Sequence, residues 1–214
     1  MKQLLILLGP PGVGKTTLAK KIQSEYVADY LSIADIVNNI IDNKLENHEI
    51  VQRSILNGEL IDNKYIIPVV ENLLKATAKI LILDGFPRSV EQVEYLMRSD
   101  EVKNFNVITL NLQAPEKVIV DRISTRRKCY VCNQVFNIKD ISLNQCPICG
   151  KELSIRENDT EDIVKKRYDE YVRNLKDITC LLEKFSDIIK IDASGLQNEV
   201  TDYCYKSICK VLKG

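Results

Sequence analysis

Five short apolar runs punctuate the chain: QLLILL at 3–8, then 27–31, KILIL at 79–83, NVITLNL at 106–112 and 187–191. They lack the polar alternation of a half-exposed strand, as expected where both faces are covered. Helical periodicity fills the gaps, at 15–25, 64–77, 89–98, 115–126, 160–184 and 196–212. Strand alternating with helix predicts an α/β fold, a parallel five-stranded sheet with helices on both sides. Two segments break the rhythm. Residues 33–61 are helical and rather polar, and residues 127–156 carry paired cysteines and turn residues. Both are expected as insertions above the carboxyl edge of the sheet, where α/β proteins bind ligands.

The 214 residues suffice for one substantial core with small insertions. Lysine plus arginine equals aspartate plus glutamate, 30 of each, which argues against a general polyanion-binding surface but not against a local cationic site. No apolar run approaches the roughly 20 residues of a membrane span. Lys2 and the apolar run after it mimic a signal peptide, but the run is short and ends in Gly-Pro-Pro. A reducing cytoplasm is therefore expected, and seven cysteines there call for an explanation other than disulfides.

The stretch GPPGVGKTT, Gly9 to Thr17, sits between the first strand and the first helix. It fits the Walker A pattern in the context that pattern requires, and so points to a three-layer P-loop NTPase fold. Glycines let backbone N–H groups approach an anion, and the helix N-terminus adds its positive dipole end. Lys15 can reach the β- and γ-phosphates, and Thr16 can offer a hydroxyl to Mg²⁺. Asp84 ends a buried strand beside this loop, the place of a second Mg²⁺ partner. GTPase is the weaker reading, because IKID at 189–192 is the nearest approach to a guanine-reading Asn-Lys-x-Asp and fails at its first position.

Six of the nine arginines lie between 122 and 173. On the 160–184 helix, Arg167 occupies a position of the stripe Ile163, Tyr171, Leu175, Ile178, Leu182. On the helix before it, Ile119, Arg122 and Arg126 are expected to stack on one face. A cation turned inward is costly unless an anion meets it, and guanidinium forks suit phosphate oxygens.

Together GPPGVGKTT, DGFPRSVEQ (84–92), DRISTRR (121–127) and VKKRYDEY (164–171) resemble adenylate kinases and their nucleoside-monophosphate kinase relatives, in order and with compatible spacing. The resemblance implies reversible, Mg²⁺-dependent transfer of the ATP γ-phosphoryl group to AMP. It implies Lys15, Arg88, Arg126, Arg156 and Arg167 as catalytic groups. It implies an ATP site of Gly12, Gly14, Lys15, Thr16, Thr17, Arg122 and Arg126, with Arg122 covering the adenine. The acceptor site would comprise Ile33, Asn38, Leu60, Gly85, Arg88, Gln92, Arg156 and Arg167, with Gln92 reading the base. It divides the chain into a core (1–32, 62–121 and 160–214), a monophosphate-binding domain (33–61) and a lid (122–159). Single-core relatives are commonly monomers, and the same is expected here.

Cys129-x2-Cys132-x13-Cys146-x2-Cys149 has the spacing of a zinc site. Four thiolates close a tetrahedron, so the expected Zn²⁺ is structural. Asn133 and Gly150, just after each pair, tolerate the left-handed backbone of a tight knuckle. A nucleic-acid-binding ribbon is disfavoured, since formal charge is balanced and RRK at 126–128 is the only dense basic run within 122–159.

The chain also departs from the family pattern. Ile33, Ala34 and Asn38 stand where a hydroxyl residue, glycine and arginine are usual, Thr16 where glycine is usual, and Asn158 where aspartate is usual. Two alternatives to AMP phosphorylation follow: a kinase for UMP, CMP or a deoxynucleotide, or a nucleotide-binding protein that transfers little.

Overall fold

The structure, a computed structural model, describes residues 1–132, 134–138, 144–156 and 159–212, with the backbone alone at 210 and 211. Asn133 and Asn158 lie outside the described residues. Five strands, β1 (Lys2–Leu8), β2 (Ala28–Ser32), β3 (Ile80–Asp84), β4 (Phe105–Gln113) and β7 (Asp187–Asp192), form one parallel sheet in the order β2-β3-β1-β4-β7. Each lies within a residue or so of the run that forecast it.

Alternate residues of the central strands feed two separate cores. Leu4, Ile6, Leu8, Leu81, Leu83 and Val107 face one side, against α4 (Asn63–Ala76), α5 (Val90–Arg98) and α7 (Glu161–Leu182). Leu5, Leu7, Ile80, Ile82, Ile108 and Leu110 face the other, against α1 (Lys15–Glu25), α6 (Glu116–Ser124) and α8 (Gln197–Leu212). Both faces are dry, which is why the runs read as continuously apolar.

After β1 the chain goes to β2 and β3 on one flank, and later to β4 and β7 on the other. A crevice therefore opens above the carboxyl end of β1, the switch point at which such sheets take ligands. Two short helices, α2 (Ile33–Asp42) and α3 (His48–Asn57), follow β2 on this edge. A two-stranded antiparallel ribbon of β5 (Arg126–Lys128) and β6 (Val135–Asn137) follows α6.

The ribbon corrects one expectation. Arg126 does not stack beneath Arg122 on a helix face. The helix ends at Ser124, where Thr125 turns its hydroxyl back onto the carbonyls of Asp121 and Arg122. Arg126 then begins a strand whose partner is Asn137. In α7 the buried register starts at Val164 rather than Ile163, and runs on to Ile178 and Leu182. Cys180 is exposed, whereas Cys204 is buried and Cys209 partly so.

Candidate active site

The loop between β1 and α1 has the backbone an anion cradle needs. Gly12 has φ 79°, and a Cβ there would lie 2.6 Å from Ile123 Cγ1, so a side chain would push the loop off α6. Lys15 turns back over the loop and donates to the carbonyls of Gly9 (2.7 Å) and Pro10 (2.9 Å). Thr17 accepts from Gln197 Nε2 at 2.7 Å, which ties the first turn of α1 to the start of α8. Gln197 also passes within 3.8 Å of a Cβ built on Gly14.

Asp84, buried at the end of β3, faces the loop. Its Oδ2 accepts from Thr16 Oγ1 at 2.7 Å and from Tyr30 OH at 2.8 Å. Burial and the Asp84 charge both push the Tyr30 phenol upward, so it stays a donor. A hydroxyl and a carboxylate at this distance are hard oxygen donors of the kind Mg²⁺ takes. Sequence reasoning missed Tyr30. Its only signal is a position in β2 opposite Ile82, two residues before Asp84 in β3, and reading it requires the strand order.

Four arginines approach the same crevice from separate elements. Arg88, between β3 and α5, donates from Nε to Gly85 O at 2.7 Å. Gly85 has φ 78°, and a Cβ there would meet the Arg88 guanidinium at 2.5 Å, so only glycine lets the side chain fold over its carbonyl. Arg126 on β5 makes a two-pronged pair with Asp159, 2.8 Å from Nε to Oδ2. Arg156 has a buried Nε with no partner among the described residues. Arg167 on α7 reaches over α3 and donates from Nη2 to Ile55 O at 3.4 Å.

These cations feel one another. Burial lowers Lys15 to about 8; Asp84 opposes this, while Arg88 and Arg126 add to it. Burial lowers Arg167 to about 10; the charges of Arg88, Arg126 and Arg156 push the same way and Asp159 resists. Burial, then Arg126, lowers Arg156. Arg88 is reachable by solvent yet hemmed in by protein at the crevice floor, and desolvation lowers it against the pull of Asp84 and Glu170. Of the acids, Asp159 is already engaged by Arg126 and Asp84 by two hydroxyls. The cluster thus holds a cationic excess that a polyanion would neutralise.

The other expected residues are arranged around it. Arg122 donates to Val13 O (3.3 Å) and Gly195 O (2.6 Å), bridging the phosphate loop and the α8 approach. Ile33 is buried at the start of α2, while Asn38 and Leu60 are part-exposed on α2 and before α4. Gln92 is buried on α5, and its carboxamide is held by Arg88 N–H and Asn63. Asn63 and Gln197, like Tyr30, carried no motif that would have singled them out.

At the ribbon, the Sγ atoms of Cys129, Cys132, Cys146 and Cys149 lie within 4.8 Å of one another. Two of the separations are 3.6 Å (Cys129 to Cys149) and 4.0 Å (Cys132 to Cys146). A tetrahedron with bonds of about 2.3 Å has edges of about 3.8 Å, so the donor set and spacing fit Zn²⁺. The backbone N–H of Cys132 donates to Cys129 Sγ at 3.4 Å and helps bring that thiol down to about 7. Gly150 takes the left-handed backbone forecast for it, φ 71°. The ribbon also touches the core, where Lys20 of α1 donates to Gln134 at 2.9 Å.

Comparison with known proteins gives a consistent result. The family model described as adenylate kinase matches residues 7–187. An adenylate kinase of Borreliella burgdorferi is 33% identical over 213 residues, covering 97% of each chain. One of Kosmotoga olearia is 35% identical over 211 residues, covering 95% of this chain and 98% of its own. One of Pyrococcus horikoshii is 32% identical over 216 residues, covering 95% of this chain and 97% of its own.

Proposed function

Because the chain belongs to the adenylate kinase family, we propose that its cation-lined crevice carries out the reversible transfer of the ATP γ-phosphoryl group to AMP, giving two ADP. The observation that supports this site most strongly is the convergence of Lys15, Arg88, Arg126, Arg156 and Arg167, drawn from the phosphate loop, the β3–α5 turn, β5, the segment before α7 and α7 itself.

Lys15 holds the donor's β- and γ-phosphates, with backbone N–H groups of the glycine loop and Thr17 at the helix N-terminus. Arg122 flanks the donor nucleoside. Arg88, Arg156 and Arg167 hold the acceptor phosphate, and Arg126 spans to the transferring group. No covalent intermediate is needed. An acceptor phosphate oxygen attacks the γ-phosphorus in line and ADP leaves, while the fixed guanidinium forks meet charge as it builds on the equatorial oxygens. When bound with ATP, Mg²⁺ would supply neutralisation of phosphate charge, and Thr16 and Asp84 are the residues that would hold it.

Residues 33–61 serve as the acceptor-binding unit and 122–159 as a lid over both substrates. The reach of Arg167 to Ile55 and the contact of Lys20 with Gln134 support this division. Closure excludes water that would otherwise take the phosphoryl group. The four thiolates hold a structural Zn²⁺ that shapes the lid. The enzyme acts as a monomer in the cytoplasm. Four cysteines grouped for a metal rather than paired as disulfides agree with a reducing compartment, and among the described residues no helix is long and apolar enough to cross a membrane.

The test is one assay: ATP·Mg²⁺ with a panel of nucleoside monophosphates, following ADP formation. AMP is expected to be the best acceptor by a wide margin. A flat panel, with nucleotide binding intact by calorimetry, would overturn the assignment.

A further inference from the structure

Gln92 sits inside a hydrogen-bond chain whose ends permit one orientation. Its Oε1 accepts from the backbone N–H of Arg88 at 2.6 Å. Its Nε2 donates to Asn63 Oδ1 at 2.8 Å, and Asn63 Nδ2 donates in turn to Glu91 Oε2 at 2.8 Å. One terminus is a backbone N–H, which can only donate. The other is a carboxylate, which can only accept. Both carboxamides between them are therefore fixed in sense. Turning Gln92 over would set Nε2 against the Arg88 N–H and Oε1 against Asn63 Oδ1. Turning Asn63 as well would relieve the second mismatch but set Asn63 Oδ1 against the Glu91 carboxylate, and the first, at the Arg88 N–H, would remain. Gln92 is 4% exposed, so water cannot repair a mismatch at its own carboxamide.

We infer that Asn63 is a specificity-positioning residue: it holds the Gln92 carboxamide in the one sense that pairs with a 6-aminopurine. This rests on the reading of Gln92 as the residue that meets the acceptor base. In the fixed sense Gln92 keeps a second lone pair on Oε1 and a second hydrogen on Nε2. These match the N6 donor and N1 acceptor of adenine. Hypoxanthine and guanine present the reverse pattern, an O6 acceptor and an N1 donor, and so require the flipped carboxamide. A free glutamine would turn to suit either base. A locked one rejects the 6-oxopurines, because a buried polar pair is left mismatched. The lock also ties base to phosphate, since the Arg88 backbone that fixes Gln92 carries the guanidinium over the crevice floor.

The experiment compares kcat/KM for AMP with kcat/KM for inosine monophosphate. Asn63→Ala opens the site to water, which can donate or accept, and the AMP preference is expected to fall by about tenfold. Asn63→Asp still accepts from Nε2 and is expected to restore the preference. Glu91→Gln, at the exposed end of the chain, lets Asn63 turn and so removes one of the two mismatches of a turned Gln92, as Asn63→Ala does, leaving that at the Arg88 N–H; it should lower the preference in the same direction. A purely structural role for Asn63 would change melting or overall turnover but not the ratio. Gln92→Leu separates the two ideas. If it leaves the ratio unchanged, Gln92 does not read the base. If it collapses the ratio while Asn63→Ala and Glu91→Gln leave it intact, the lock is overturned and the reading of Gln92 survives.

Discussion

Lys15 gives the sharpest quantitative handle on the site. In the unliganded protein, burial and the neighbouring arginines hold its pKa at about 8, against an ordinary 10.5. A bound triphosphate restores the charge by direct contact and drives that pKa back up. Binding of ATP·Mg²⁺ must therefore take up a proton above pH 8. For a group at pKa about 8 the free protein is about three-quarters deprotonated at pH 8.5, so about three-quarters of a proton should be taken up there. Between pH 7 and pH 9 the dissociation constant should rise by about tenfold, or about 1.4 kcal/mol. Titration calorimetry in buffers of different ionisation heat counts the protons directly, and Lys15→Met supplies the baseline. The sign for stability is the opposite. The unfolded chain keeps the Lys15 proton up to about 10.5 while the folded chain loses it near 8, so the unliganded fold gains stability as pH rises through that window. Equal affinity at pH 7 and 9, with no proton uptake beyond that of Lys15→Met, would refute the placement of Lys15 against the phosphates.

Other outcomes follow from the same geometry. Arg88→Ala and Arg167→Ala should each lower turnover by at least ~10², measured at saturating ATP and AMP, since a positioned guanidinium in phosphoryl transfer is worth ~10³–10⁵. Purified protein should carry one zinc per chain by elemental analysis, and a chelator or Cys146→Ser should lower its melting temperature. Zinc-free protein that melts unchanged would remove the metal. Asn38→Arg should lower KM for AMP by roughly tenfold or more, because a charged hydrogen bond to the acceptor phosphate contributes about 1.5–3 kcal/mol; an unchanged KM would mean that another cation already fills that place.

Much of this was legible in the chain because the information is local. A strand buried on both faces must be continuously apolar, so 3–8, 79–83 and 106–112 marked the sheet centre. The glycine loop requires its glycines wherever it occurs. Arg167 announced itself by breaking an apolar stripe. What escaped depends on distant partners. Arg126 reads as a continuation of α6, because Arg, Arg and Lys are all acceptable in a helix. Its strand is chosen by the pairing with Asn137 and by Asp159, 33 residues on. Tyr30 becomes visible only once β2 is laid beside β3. Asn63 looks like an ordinary first-turn residue of α4 until Gln92, 29 residues later, is brought against it.

In the proposed function, five positive side chains, each rooted in a different part of the molecule, take hold of a chain of phosphates. A crystal structure with two adenosines joined through five phosphates tests this most directly. Lys15, Arg88, Arg126, Arg156 and Arg167 should each place a nitrogen within hydrogen-bond distance of phosphate oxygen, with Arg156 Nε, which has no partner among the described residues, now engaged. Guanidinium groups turned to bulk water in that complex would contradict it.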